Sequence, residues 1–226
     1  TLESVAGLRA DASKQRQVMK NWLVGWMLAL AVGTAHAAVI ASWEFAGFAG
    51  TEATADGTMA PGLETSTLAH GAGLQYATAN PDSFTGTGFL SSLDSALTDN
   101  DYFTFVLESS ENYIFSVDSI VFNFDASSSG PQSWALFSSM DGFATAGDAL
   151  YNWASVGTGS RTATLSGNAA FQVISGSVEF RVYGYDATLQ SGTGSFEGTG
   201  NDIAVNGEAV PLEIPEPATL GLLSLG

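Results

Sequence analysis

An all-β fold, a single jelly-roll-like β-sandwich over residues 38–213, is what the sequence predicts, on three observations. Apolar and polar residues alternate at period 2 in many short stretches. Clusters rich in Gly, Ser and Thr separate those stretches, and the 3.6-residue periodicity of amphipathic helices is nearly absent. Strands that bury one face each and reverse at such turns close their core as two facing sheets.

Taken in order, the first strand is expected at residues 39–45, followed by a long connection over 47–85. In the strand at 102–107, Phe103, Phe105 and Leu107 share one face. At 120–125, Ile120, Phe122 and Phe124 point inward while Asn123 and Asp125 face out. Further strands are expected at 133–138 and 162–165. At 178–183, Val178, Phe180 and Val182 are core residues and Arg181 is outward. A second long connection over 184–201 precedes the last strand at 203–211. Turn clusters lie at Ser127-Ser128-Ser129-Gly130-Pro131, Asp141-Gly142, Gly157-Thr158-Gly159-Ser160 and Gly192-Thr193-Gly194. The two long connections read as jelly-roll crossovers, and no fixed-period repeat points to a solenoid or propeller.

Charge narrows the function. The 226 residues hold 6 Lys+Arg against 23 Asp+Glu, a formal net charge of −17. Such a chain lacks the basic footprint that nucleic acid or an anionic membrane surface requires. With no cysteine there are no disulfides, thiolate metal sites or cysteine nucleophiles. Both lysines and two of the four arginines lie at or before Lys20, so beyond residue 37 only Arg161 and Arg181 are basic. Of the acids, only Glu3 and Asp11 precede residue 38. The predicted domain is therefore almost purely anionic, which favours solubility and makes cations its natural small partners.

Both ends read as targeting signals. Met19-Lys20-Asn21 precedes an apolar run over 22–32, and Gly33-Thr34-Ala35-His36-Ala37 follows. A positive residue, a short apolar core and small residues at −3 and −1 make up a secretory signal peptide over 19–37. Ala35 and Ala37 fit the two shallow pockets of signal peptidase, with cleavage expected between Ala37 and Ala38. Residues 1–18 are expected to lie upstream of a true start at Met19 and are left out of the fold.

At the other end, Pro215-Glu216-Pro217 leads through Ala218-Thr219-Leu220 into the run Gly221-Leu222-Leu223-Ser224-Leu225. This segment, 214–226, resembles the PEP-CTERM sorting signal of exported bacterial proteins. The resemblance implies processing by a membrane-embedded exosortase. It also implies a membrane helix and a basic cluster after the triplet, so the helix is expected to be truncated here. The prolines on either side of Glu216 keep that segment extended and accessible. Stretches such as Ser129-Gly130-Pro131, Trp134-Ala135-Leu136 and Ser138-Ser139-Met140-Asp141-Gly142-Phe143 resemble the body of many proteins of this group. So do residues 178–185 and Asn201-Asp202-Ile203-Ala204-Val205-Asn206-Gly207, where the order of the first two is the reverse of the usual Asp-Asn. The implied role is an exported cell-surface or extracellular-matrix protein of a Gram-negative bacterium. It would be held transiently at the inner membrane only through the C-terminal helix, then released to an exopolysaccharide-rich envelope. Its transient partners are signal peptidase and exosortase.

No catalytic residue is assigned, and the protein is expected not to be an enzyme. His70, in Ala69-His70-Gly71-Ala72-Gly73, is the one histidine after the leader, and no Gly-x-Ser-x-Gly elbow accompanies it. Outward carboxylates at Glu108, Asp125, Glu179 and Asp186 leave a secreted hydrolase as an alternative, with no pair distinguished. A calcium-stabilised carbohydrate-binding module is the other alternative. Asp99-Asn100-Asp101, Asp125 or Asn201-Asp202 offer hard oxygen ligands, the metal ligands being otherwise unassigned and no cofactor required. Tyr183 and Tyr185, on the Arg181 face, are the expected glycan contacts, and Arg181 is expected in a cross-strand ion pair. Trp134, and Trp153 beside Tyr151, are expected in the core.

Overall fold

The structure, a computed structural model, describes residues 37–76 and 80–212. Their strands are β1 (Ala38–Trp43), β2 (Thr54–Asp56), β3 (Thr58–Met59), β4 (Thr67–His70), β5 (Gln75–Tyr76), β6 (Phe84–Thr87), β7 (Tyr102–Glu108) and β8 (Tyr113–Phe115). The second half adds β9 (Ser119–Ala126), β10 (Ser133–Ser138), β11 (Tyr151–Trp153), β12 (Gly159–Thr164), β13 (Ser177–Tyr185), β14 (Gly194–Phe196), β15 (Ile203–Gly207) and β16 (Ala209–Pro211). A single α-helix, α1 (Leu93–Asp99), interrupts them among the described residues.

All strand pairs are antiparallel. One sheet is built around β9, with β12 along one side. On its other side β15 pairs with the first half of β9 and β14 with the second. Beyond β15 come β1 and β3, and beyond β14 come β6 and β5. The second sheet runs β11-β10-β13-β7-β4-β2, and β16 with β8 forms a small ribbon.

The alternation in the sequence sets the inner faces. Phe103, Phe105 and Leu107 of β7, Ile120, Phe122 and Phe124 of β9, and Val178, Phe180 and Val182 of β13 are all buried. Rings from the two sheets meet between them. Phe124 stacks on Trp134 at 4.4 Å, Trp43 lies 4.8 Å from Phe105, and Phe196 meets Phe103 edge-on at 4.8 Å. These are two sheets packed face to face over an aromatic core. Trp134 is in that core as expected, its indole N–H donating to Gly157 O at 3.0 Å. Trp153 is partly buried against the same cluster.

The outer faces differ. On the β9 sheet the outward residues Asn123 and Asp125 remain partly exposed and polar. On the β13 sheet, by contrast, β10 is buried along its whole length because Ala135, Phe137, Tyr183 and Tyr185 lie under Leu93 and Ala96 of α1.

Helix α1 lies between the expected connection over 47–85 and the strand at 102–107, where the sequence predicts no element. Ser92 caps it, its Oγ accepting from Ser95 N at 3.3 Å, and Asn100 ends it in the left-handed region at φ 65°. At seven residues it is too short to leave a visible 3.6-residue period. The two long connections also hold structure, β2 to β6 in the first and β14 in the second. These strands are two to four residues long, and a stretch so short shows no alternation. Residues 203–211 form two strands broken at Glu208, whose N–H donates to Ser116 Oγ at 3.1 Å. Among the described residues no helix is long and apolar enough to cross a membrane.

Candidate functional site

Of the targeting residues, Ala35, Pro215, Glu216 and Pro217 lie outside the described residues, as do the leader up to residue 36 and all of the terminal segment 214–226. Ala37 is exposed, and β1 starts at Ala38, which pairs with Gly207.

The tyrosines expected to meet glycan do lie on the Arg181 face, as the alternation requires. They are not available to a ligand, which corrects the expectation: Tyr183 is 1% and Tyr185 8% exposed beneath α1. The Tyr185 hydroxyl is further tied to Asn152 Oδ1. Arg181 is paired within its own strand and not across it. Its Nε meets Glu179 Oε1 at 2.6 Å, and Thr104 Oγ1 donates to that same oxygen at 3.0 Å. Across the face its guanidinium covers the Tyr102 ring at 4.4 Å and the Phe143 ring at 3.9 Å. This arrangement neutralises the Arg181 charge on a partly covered face.

His70 is likewise absorbed by the fold. Its ring stacks on Phe84 at 4.4 Å, with Phe103 and Tyr76 on other sides. Nε2 is 2.9 Å from Thr85 O and Nδ1 3.3 Å from Ala53 O. Burial lowers its pKa despite these two carbonyls. A neutral imidazole has one N–H, so the closer carbonyl takes it, and both ring nitrogens face main chain where a triad needs a hydroxyl and a carboxylate. The outward carboxylates are scattered. Asp125 accepts from Thr158 Oγ1 at 3.1 Å, Asp186 from Ser133 Oγ at 2.6 Å, and Glu108 is exposed at the end of β7. An open depression of about 530 Å³ on the β9 sheet holds Asp125 and Glu197 beside Asn123, Thr158 and Ser160.

The two Asp-containing segments behave differently from the rest. Asp101 and Asp202 are each 1% exposed, and each carboxyl is pushed up to about 6. Burial is the main cause in both, with Asp99 adding to it at Asp101. At Asp202 the bond from Phe45 N opposes the rise, and Glu44 and Glu197 add to it.

Asp101 sits where three pieces of chain converge. The turn between β4 and β5 docks against the corner between α1 and β7, Gly71 N donating to Tyr102 O at 2.7 Å and Gly73 N to Asn100 O at 3.1 Å. Glycine is required at both positions by close approach. A Cβ on Gly71 would strike Asn100 O, and one on Gly73 would strike Asp101 Oδ1 and Asp99 O. The third piece is the segment after β13, where Gly88 N donates to Gln190 O at 2.8 Å. Between them lies an open cavity of about 270 Å³ at the surface, walled by Asp99, Asp101, Gln75 and Gln190 with Gly73, Gly88 and Leu90.

Gln75, Gly88 and Gln190 also wall an adjoining depression of about 450 Å³, completed by Tyr76, Thr87 and Ser191. Tyr76 is 59% exposed there. The sequence marks Asp99 and Asp101 as hard oxygen donors; it does not mark Gln75, Tyr76 or Gln190. Gln75 and Gln190 are far apart in sequence and isolated polar residues carry no local signal; Asp99-Asn100-Asp101 and the glycines around His70 are the marks of the site visible in the sequence.

Compared with family models, curated proteins and solved structures, the chain matches none.

Proposed function

We propose that this chain is an exported, non-enzymatic cell-surface or matrix protein, its sandwich a jelly roll carried between a cleaved leader and a PEP-CTERM-type sorting signal. One coincidence supports the reading most. The residue after the expected cleavage position, Ala38, is also the first residue of β1, so cutting there releases the sheet without losing any of it. The Pro215-Glu216-Pro217 triplet, a short distance after β16, supports the sorting half of the reading. For the jelly roll, the support is the antiparallel pairing and a chain that passes repeatedly from one sheet to the other.

Expression of the chain in a Gram-negative host with an exosortase, followed by fractionation and N-terminal sequencing, tests this. Export with a mature N-terminus at Ala38 is the expected result. A full-length product that stays in the cytoplasm and keeps residues 19–37 overturns it.

A carbohydrate-binding role is favoured by one observation, the depression in which exposed Tyr76 stands beside Gln75, Thr87, Gln190 and Ser191. An aromatic face flanked by amides and hydroxyls is the chemistry that stacks on a sugar ring and bonds its hydroxyls. Tyr76→Ala should abolish binding on a glycan array while shifting stability by less than about 0.5 kcal/mol. A blank array with the unmodified protein overturns this second reading.

A further inference from the structure

The geometry points to a divalent-cation site, of calcium type, in the cavity between the β4–β5 turn and the C-terminal end of α1, with Asp101 as its central ligand. It is independent of the export reading and concerns only what this corner of the sandwich holds.

Asp101 Oδ2 is fully buried and has no hydrogen-bond partner. A carboxylate removed from water without a donor is among the costliest groups a fold can contain. It must give up its charge or find a positive one. Among the described residues none is brought to it: their Lys and Arg side chains are Arg161 and Arg181 alone, and Arg181 is held by Glu179 and two rings. The charge that acts on it is that of Asp99, of the same sign.

The other walls also carry oxygen. Gln75 and Gln190 contribute amides, and the Asp99 carbonyl reaches the same point beside Gly73 as Asp101 Oδ1. That carbonyl belongs to the last turn of α1, where main-chain oxygens lack helical partners and where no basic residue compensates the acids. Among the described residues no group of three or more His, Cys, Asp or Glu side chains gathers in one place. The remaining ligands are therefore neutral oxygens and water, for which the cavity of about 270 Å³ has room. An all-oxygen set of two carboxylates, amides and carbonyls on separate loops suits calcium, which accepts six to eight ligands in irregular geometry. Zinc prefers nitrogen and sulfur, and magnesium demands a tighter octahedron.

Gly73 gives the site its shape. Its missing side chain leaves the space into which Asp101 Oδ1 and the Asp99 carbonyl both project. Asp202 provides an internal control: it is equally buried and its Oδ1 also lacks a donor, but its Oδ2 accepts from Phe45 N at 2.8 Å and it does not wall this cavity.

The test is calorimetric titration of calcium chloride into the metal-stripped full chain at pH 7.5, with thermal melts in calcium and in chelator. Expected are saturable binding in the micromolar-to-millimolar range and a higher Tm in calcium, with magnesium weaker. Asp101→Asn should raise the dissociation constant by about 100-fold or more, and Asp202→Asn should leave it unchanged. Should Asp101→Asn not fold, Asp99→Asn and Gln190→Ala carry the same test, each expected to weaken calcium by about 10-fold. Absence of saturable binding overturns the proposal. So does loss on Asp202→Asn with retention on Asp101→Asn, or wild-type affinity in both rim variants.

Discussion

Asp101 and Asp202 make a natural pair: the same residue, equally buried, each with a carboxyl displaced upward to about 6. Their surroundings separate them. Asp202 stands at the start of β15 and ties it to the chain leaving β1, its Oδ2 accepting from Phe45 N while its own N–H donates to Trp43 O at 2.8 Å. It is a clamp between neighbouring strands. Asp101 closes the α1–β7 corner through its main chain alone, its N–H donating to Ala96 O at 3.0 Å, and its Oδ2 has no donor. Each leaves one carboxylate oxygen without a donor, but Asp202 holds Phe45 N with its other oxygen, whereas Asp101 faces a cavity lined with further oxygens. A displaced pKa cannot tell these cases apart, whereas hydrogen-bond partners can.

The largest expected effect treats the two alike and comes from pH. Each folded-state pKa lies above its ordinary value of 3.8, so the folded chain retains protons that the unfolded chain has lost. Stability should therefore fall as pH rises from about 4 through about 6, by on the order of 3 kcal/mol for each carboxylate in chelator. His70 works in the opposite sense. Its pKa is lowered from 6.5, so its contribution falls as pH drops below that value. Urea denaturation across this range should show the fall in the parent chain. Combining Asp101→Asn with Asp202→Asn should remove the fall and leave a rise, from His70 and from Glu52, whose carboxyl main-chain donors hold below its ordinary value in spite of burial. A parent chain whose stability does not fall between pH 4 and 7 would contradict the burial of both groups.

Next in size is the contrast that separates them. Asp202→Asn keeps an acceptor for Phe45 N, whereas Asp202→Ala strands that N–H in the interior. The alanine variant should be about 1–3 kcal/mol less stable than the asparagine variant. The same comparison at Asp101, in chelator, should yield less than about 0.5 kcal/mol, because no donor waits there. Equal differences at the two positions would erase the distinction between clamp and site.

The smallest effect concerns a charge that is already paired. Arg181→Ala should cost about 1 kcal/mol, since its partners are a partly exposed carboxylate and two rings. Calcium affinity should not change in this variant, because Arg181 does not wall the cavity.

Several elements could be read from the linear chain because their determinants are local. The inward rows Phe103–Phe105–Leu107, Ile120–Phe122–Phe124 and Val178–Phe180–Val182 each follow from a two-residue period, and all are buried. The core position of Trp134 was legible for the same reason. Helix α1 was not, although Ser92 and Asn100 bracket it with recognisable caps, because seven residues carry too little periodicity to outweigh the surrounding strands. That omission misplaced the glycan contacts. Alternation correctly sent Tyr183 and Tyr185 to the outer face, but an outer face is exposed only if nothing packs on it, and Leu93 and Ala96 do.

What the linear chain settled was the all-β class, the inward face of its longer strands and an anionic domain with two arginines. Each depends on composition or on neighbours within a few positions. Which outer face is covered, and which of many carboxylates is buried beside other oxygens, depends on contacts between segments distant in sequence. Asp101 meets Gly73 and Gln190 in a shared cavity only once the β4–β5 turn and the segment after β13 have closed around the end of α1. The cost of an unpaired charge arises only when that closure removes water, so no reading of local pattern could weigh it.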